Sequence, residues 1–193
     1  MIIEDGKGTG TKVRCDGNNR MHVQSVQEDE GRHAAGVGDA YNINTGNITF
    51  SAAGTLIYVK NNEDKDLVIE ALAVGVGSGT TSDIGEITVE RNTTGGDLIS
   101  DATAVDMNQN RNFGSNKTLT ADIYKGKSGG TSTGGNDIIQ FYQGTSGRLF
   151  ATINLVLTKG SSMAISYDPK LSSGSVKAYA AVVCYLKDPE SAD

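Results

Sequence analysis

The sequence is short of the residues on which most catalytic and metal sites depend. Its 193 residues include no Trp, two His, two Cys and two Pro. His22 and His33 have no cysteine or acidic residue at a spacing typical of zinc ligation, and we expect both to be surface residues. A Ser–His–Asp triad is not predicted either, because neither histidine has recognisable partners for that chemistry.

The two cysteines, Cys15 and Cys184, lie almost a full chain length apart. Each occupies an apolar position in a segment with strand-like alternation. A buried free thiol is the usual state of such a residue in a reducing compartment. We therefore expect two buried thiols, while a disulfide that ties the N-terminal segment to the last strand stays open as the alternative.

Long apolar runs and basic clusters are also missing. No run approaches the ~20 apolar residues of a membrane helix, and the acidic start of the chain does not look like a secretory signal. The formal net charge is -6 and the pI about 4.9, which disfavours nucleic-acid binding in the absence of a basic patch. We expect no membrane and no nucleic acid among the partners, and synthesis in a cytoplasm.

Glycine, at 25 residues, separates many short segments of alternating apolar and polar residues between about 39 and 187. Such period-two patterning predicts strands with one buried face, and two sheets stacked face to face would hide both apolar faces. We predict an all-β fold, a jelly-roll-like antiparallel β-sandwich over residues 38–193, with a closed barrel as the lesser option. The clearest strand candidates are residues 41–44, 48–50, 55–60, 67–76, 149–157 and 176–186.

Residues 1–37 are predicted to form an extended N-terminal arm. Residues 6–10 carry the glycines and lysine of a phosphate loop, but the strand and helix that such a loop joins are not predicted around them. Residues 11–15 and 20–24 read as the two strands of a hairpin, each with one narrow apolar edge. Residues 27–38, charged and then small, read as a linker between the arm and the body.

Acidic residues occur in two arrangements that resemble functional sites. Asn62, Asp64 and Asp66 alternate like calcium ligands, but the chain continues as a strand where an EF-hand loop needs a glycine. Glu86 and Glu90 share the wet face of one strand, as glycosidase carboxylates do, without a tryptophan platform for a sugar. An acidic turn and a solvated face are the favoured interpretations, so no catalytic, cofactor or metal site is predicted.

Three stretches of the sequence have counterparts in a known class of proteins. They are Gly8-Thr9-Gly10 through Asp16-Gly17-Asn18-Asn19-Arg20-Met21-His22-Val23, then residues 58–70, and then residues 92–100 followed by Asn112-Phe113-Gly114-Ser115. Together they cover roughly residues 6–130. This pattern of turns and strand edges resembles virion structural proteins of tailed bacteriophages, especially marine ones.

The resemblance implies an auxiliary capsid protein of the decoration or cement kind. Such a protein has a jelly-roll body, is commonly a homotrimer, and sits on the capsid surface of the virion against the major capsid protein. It is not an enzyme and has no cofactor. The residues that we predict to dock on the capsid or on a partner subunit are the apolar edge of the hairpin, namely Val13, Cys15, Met21 and Val23.

Two other functions remain open at this stage. One is a tail or head-fibre component, and the other is a receptor- or glycan-binding tip that uses residues 125–136. This glycine- and serine-rich loop is predicted to be flexible and to face solvent, so it could carry contacts or serve only as a spacer.

Overall fold

The computed structural model describes residues 29–77, 84–95, 108–143 and 147–189. Within these ranges the chain forms a short helix followed by strands. The elements in chain order are α1 (Glu30–Val37), β1 (Ala40–Asn44), β2 (Ile48–Phe50), β3 (Gly54–Asn61), β4 (Asp66–Val76), β5 (Gly85–Arg91), β6 (Asn108–Asn110), β7 (Ala121–Lys125), β8 (Asn136–Gln143), β9 (Gly147–Leu157), β10 (Ser162–Asp168) and β11 (Val176–Lys187).

The strands form two antiparallel sheets. The first is six-stranded, in the order β6-β1-β11-β4-β9 with β2 also paired to β11, and the second is five-stranded, in the order β7-β3-β10-β5-β8. Consecutive strands repeatedly change sheet, as from β3 to β4, from β4 to β5 and from β9 through β10 to β11. The predicted antiparallel β-sandwich is therefore confirmed. Its jelly-roll path stays a prediction, which the repeated crossing between sheets favours.

The core lies between the two sheets because alternate side chains of the paired strands point inward. In β9, the residues at 149, 151, 153, 155 and 157 are the more buried set, as the alternation in the sequence predicted. The central strands β4 and β11 supply apolar residues along their whole length. The largest fully buried side chains are Tyr41, Phe50, Ile43, Leu56, Ile57, Leu67, Ile69, Leu72, Ile87, Met163 and Ile165.

The predicted linker is wrong for residues 30–37, which form helix α1. The Asp29 side chain caps the helix by accepting a hydrogen bond from the Arg32 N–H at 3.1 Å. Gly38 ends it in the left-handed conformation, φ 82°, where a side chain is disfavoured. The helix packs on the body, since Ala34 shares a buried cluster with Ala40, Val68 and Tyr185.

The predicted division of the chain at residue 37 is only partly visible. Residues 1–28 lie outside the described residues, and with them the predicted hairpin. The separate arm therefore stays a prediction, but α1 belongs to the packed body rather than to a free connection.

Candidate protein-interaction surface

The outer face of the first sheet is unusually apolar where β9, β4 and β11 lie side by side. Three transverse rows follow from the strand register, and we call them the outer strip. They are Arg148–Gly75–Tyr179, Phe150–Ala73–Ala181 and Thr152–Ala71–Val183. All nine residues alternate with core positions of the same strands, so they share the face that points away from the second sheet.

The outer strip combines one large exposed side chain with small neighbours. Phe150 is 68% exposed, although its neighbours across the strands are only Ala73 and Ala181. At Gly75, a Cβ atom would collide with the ring of Tyr179, so the ring lies directly over the glycine. Exposed apolar patches mark protein-interaction sites when they are contiguous, and here the exposed ring adjoins alanines of the two neighbouring strands.

The two ends of the outer strip differ in charge. At one end Arg148 and Lys177 are both exposed, and neither forms an ion pair within the described part of the chain. At the other end a groove of about 360 Å³ is lined by Glu30, Asp66 and Lys187, together with Val156 and other apolar residues. Carboxylates outnumber ammonium groups in that groove, so the strip runs from a basic end to a weakly acidic one.

Helix α1 covers the sheet beyond the weakly acidic end. The row Val156–Val68–Tyr185 continues the same outer face, and Ala34 of the helix packs against Val68 and Tyr185. The Tyr185 hydroxyl donates to Glu30 Oε2 at 3.3 Å. Glu30 also pairs with Lys187 at 3.3 Å, whereas Phe150 and Val156, 55% exposed, are left to solvent.

The loop over residues 125–136 is fixed to the body, contrary to the predicted flexible tip. Ser128 Oγ accepts hydrogen bonds from the Ser51 N–H at 2.9 Å and from the Ala52 N–H at 3.1 Å. The Gly126 N–H donates to Leu56 O at 2.9 Å, and Thr94 and Thr133 form an isolated β-bridge. The sequence of this loop looks like a flexible spacer because it is rich in glycine and serine. In the structure these residues instead let the loop backbone pack closely on the body and form hydrogen bonds with it.

Glu86 and Glu90, the weighed glycosidase pair, line a polar groove of about 300 Å³ on the outer face of the second sheet. Glu86 pairs with Lys170 at 3.1 Å and also accepts from Gln140. Glu90 accepts from the Ser132 hydroxyl at 2.8 Å. Both carboxylates therefore have partners within the fold, as solvated structural charges do.

Asp168 lies in the same groove and is bound to the same lysine. Lys170 Nζ is 2.6 Å from Asp168 Oδ2. Partial burial raises the pKa of Asp168, but the hydrogen bonds and the charge of Lys170 together outweigh it and hold the pKa below its usual value. One ammonium group thus links Asp168 to Glu86.

Asn62 and Asp64 of the calcium-like series 62, 64 and 66 form a hydrogen bond and an ion pair within the fold. Asn62 Nδ2 donates to Asp122 Oδ1 at 2.9 Å, and Asp64 pairs with Lys159 at 2.5 Å. The hydrogen bond and the charge of Lys159 lower the pKa of Asp64. Asp66 begins strand β4, so the three side chains support an acidic turn, as the favoured interpretation had it.

Cys184 is buried and free, as predicted for a core thiol. Burial raises the pKa of its thiol to about 12, and Sγ lies 3.7 Å from Tyr41 O, to which it donates. His33 is exposed on α1, which confirms the surface position expected of it. Cys15 and His22 lie outside the described residues.

All four predicted docking residues, Val13, Cys15, Met21 and Val23, also lie outside the described residues, so their role stays a prediction. The outer strip was not predicted as a site. A signal for it was nevertheless present, because Phe150 stands between Arg148 and Thr152 on the outward face of its strand. Its small neighbours come from β4 and β11, and only the register brings the three strands together.

Among the residues that the structure describes, no group of three or more His, Cys, Asp or Glu side chains is placed to hold a metal ion. Within the same residues, no helix has the length and apolarity to cross a membrane.

The similarity of the chain to known proteins is weak. No protein-family model and no curated protein matches it. Among solved structures it is similar to infectious bursal disease virus, Gx strain, with 14% identity and a TM-score of 0.18 over 76% of this chain and 40% of that one. A mutant VP2 protein of the same virus, from derived T=1 particles, gives 11% identity and a TM-score of 0.16 over 78% and 40%. The chain thus spans about 40% of these proteins, and scores this low establish neither a common fold nor a common function.

Proposed function

We propose that this chain is a virion structural protein, specifically a capsid decoration or cement protein that docks on the outside of a phage capsid. The sequence resemblance suggests the class, and one structural observation carries the proposal. That observation is the outer strip, an apolar sheet face with Phe150 68% exposed and with unlike charges at its ends. A face of this kind is suited to contacts between proteins.

A decoration protein reinforces a shell through many copies rather than through a single tight contact. Each copy can contribute a modest contact, because linked copies act together once they are held on one lattice. In this proposal the major capsid protein is the partner, the N-terminal arm supplies the attachment, and copies associate with one another. The closed homotrimer of the resemblance would be one outcome of such association.

The test is attachment to empty capsids by a truncated protein. Residues 1–28 should be removed rather than residues 1–37, because loss of α1 would uncover Val68 and Tyr185 and damage the body itself. We expect the truncated protein to remain folded, by circular dichroism, and to cosediment with capsids far less than the full chain does. If the truncated protein decorates capsids as completely as the full chain, the arm does not provide the attachment.

A tail or head-fibre component with a receptor- or glycan-binding role is the second candidate. The polar groove that contains Glu86 and Asp168 favours it, because Ser132 of the 125–136 loop also lines that groove. Electron microscopy of labelled virions separates the two candidates. Label spread over the whole shell supports decoration, whereas label confined to the tail or to one vertex supports the fibre.

A further inference from the structure

We infer that the outer strip is the contact through which two copies of this chain pair face to face about a two-fold axis. The inference rests on the proposed function, whose self-association it deepens by naming the surface and the partner. The occupant of the strip is a second copy of the same strip.

The first argument is the shape of the strip. Phe150 projects beside Ala73 and Ala181, while Ala71 lies in the next row. A two-fold axis that lies in the plane of the interface and runs across the three strands would place β9 of one copy over β9 of the other. The two Phe150 rings would then meet beside the alanines of both copies, which leave room for them. In a two-fold interface each contact occurs twice, so a projecting residue and a floor of small residues on one surface are self-complementary.

The second argument is charge. This two-fold operation reverses the direction of the strip, so the basic end with Arg148 and Lys177 in one copy faces the groove with Glu30, Asp66 and Lys187 in the other. Lys187 lies 3.3 Å from Glu30, so the net negative charge of that groove comes from Asp66. Unlike charges meet at both ends of the interface. A two-fold axis along the strands would instead stack the two basic ends on each other and would repel, so charge selects the axis across the strands.

The third argument is area. The three rows of the strip are about 20 Å long, and three strands make it about 15 Å wide, which gives roughly 600 Å² for two faces in contact. The smallest specific interfaces bury about 1,000 Å². The pair should therefore be reversible and dependent on concentration rather than permanent.

The pairing uses only the outer face of the first sheet. A three-fold contact through any other surface can coexist with it, and the mass of the assembly would then be twice that of a trimer rather than twice that of a monomer. In both cases, the loss of the pair contact halves the mass.

The experiment is a mass measurement by sedimentation velocity over a concentration series, on the full chain and on two matched variants. Phe150→Asp places a charge in the centre of the strip, and Phe113→Asp does the same at a residue that is 98% exposed and lies outside the strip. We expect the full chain and Phe113→Asp to reach twice the mass of Phe150→Asp. Arg148→Glu should shift the concentration at which pairs form upward, because it brings a carboxylate against Glu30 and Asp66.

Three results would overturn the pairing. They are equal masses for the full chain and Phe150→Asp, an equal loss of mass in Phe113→Asp, or stronger pairing once residues 1–28 are removed. The last result would mean that the N-terminal segment of the chain itself covers the strip. Circular dichroism and the urea midpoint of Phe150→Asp check that it folds, and an exposed site should leave both unchanged.

The outcome can be separated from that of the proposed function. A Phe150→Asp protein that still coats capsids but never pairs leaves decoration standing with a different self-contact. A full chain that pairs through Phe150 in solution but never binds capsids leaves the pairing standing and removes decoration.

Discussion

Asn61 is a buried polar residue that hydrogen-bonds across the junction of the two sheets. It is fully buried, and its Nδ2 group donates to Lys65 O and to Leu157 O, both at 2.8 Å. Its Oδ1 atom accepts from the Glu63 N–H at 2.9 Å. One side chain thus joins the end of β3 to the following turn and to the end of β9, which belongs to the other sheet.

Replacement of this residue by alanine removes three hydrogen bonds at once. Each is worth about 1 kcal/mol net, and more where the former partner stays buried without a replacement, so we expect Asn61→Ala to lower the free energy of unfolding by about 3 kcal/mol. For a chain of this size that corresponds to a fall of about 6–12 °C in Tm. Asn61→Asp should cost more, although it is nearly isosteric, because a carboxylate cannot donate to either carbonyl and brings a buried charge.

Urea unfolding followed by circular dichroism measures both losses. Asn62→Ala is the matched control, since the neighbouring residue makes one partly buried hydrogen bond to Asp122 and should cost less than about 1 kcal/mol. A loss below about 1 kcal/mol for Asn61→Ala, or equal losses at the two positions, would refute the role given to Asn61. Relief of the Asn61→Asp defect at low pH would support it, because protonation restores one donor.

Two further predictions concern glycines and the buried thiol. Gly126→Ala should lower the free energy of unfolding in urea by roughly 1–3 kcal/mol, because the new Cβ atom would overlap the Thr55 carbonyl. Gly36→Ala is the control: its Cβ atom would meet open space on α1, and it should raise the free energy of unfolding by about 0.5–1 kcal/mol. Equal effects of the two substitutions would contradict the role given to Gly126. Cys184, whose pKa is raised to about 12, should react with a thiol reagent only as the protein unfolds when tested in a Cys15→Ser background. The pKa of this thiol in the folded protein lies above the unfolded value of about 8.5. The contribution of the neutral thiol to stability is therefore complete below about pH 8.5 and is lost as the pH rises toward about 12. If the urea midpoint of Cys184→Val falls over this pH range as much as that of the unsubstituted protein, the thiol is not the cause of the fall.

Much of the sandwich follows from period-two patterning. The strands predicted at 67–76, 149–157 and 176–186 correspond to β4, β9 and β11, within one residue or two at their ends. Each of these long strands places a continuous set of apolar residues on one face, and no helical period or glycine-rich turn interrupts the pattern in the sequence. Long strands with a regular apolar pattern are the elements of a β fold that are easiest to predict from a single sequence.

Three strands were missed, and each has a physical reason. β6 is a three-residue strand of polar residues, Asn108–Asn110, so it shows no apolar alternation. β8 contains the neighbouring pairs Ile138-Ile139 and Phe141-Tyr142, which break the alternation, and the structure places one member of each pair on the outside. β10 is buried on most of its residues because it is the central strand of the second sheet, so it has no wet face to produce an alternation. Helix α1 was missed because two glycines weaken its propensity, although the cap signals of Asp29 and Gly38 were present.

The candidate site was beyond the reach of the sequence for a different reason. Phe150 among polar neighbours could be noticed, but its meaning depends on Ala73 and Ala181, which lie far away in the chain. Which residues lie side by side on the outer face depends on the register between strands, and the register depends on how the whole sandwich packs. The sequence could therefore point to a self-associating protein without locating the contact.

The outer strip and the core share the strands β4, β9 and β11, yet the alternation of side chains separates their roles. Leu149, Leu72 and Val182 face the second sheet and hold the sandwich together, while Phe150 on the opposite face is exposed beside Ala73 and Ala181 of the neighbouring strands. Burial of an exposed aromatic ring of this size stabilises by about 1.5–3 kcal/mol, and in an isolated copy that free energy is not realised. It becomes available only when a second surface covers the strip, so a substitution at Phe150 should change assembly and leave folding almost untouched.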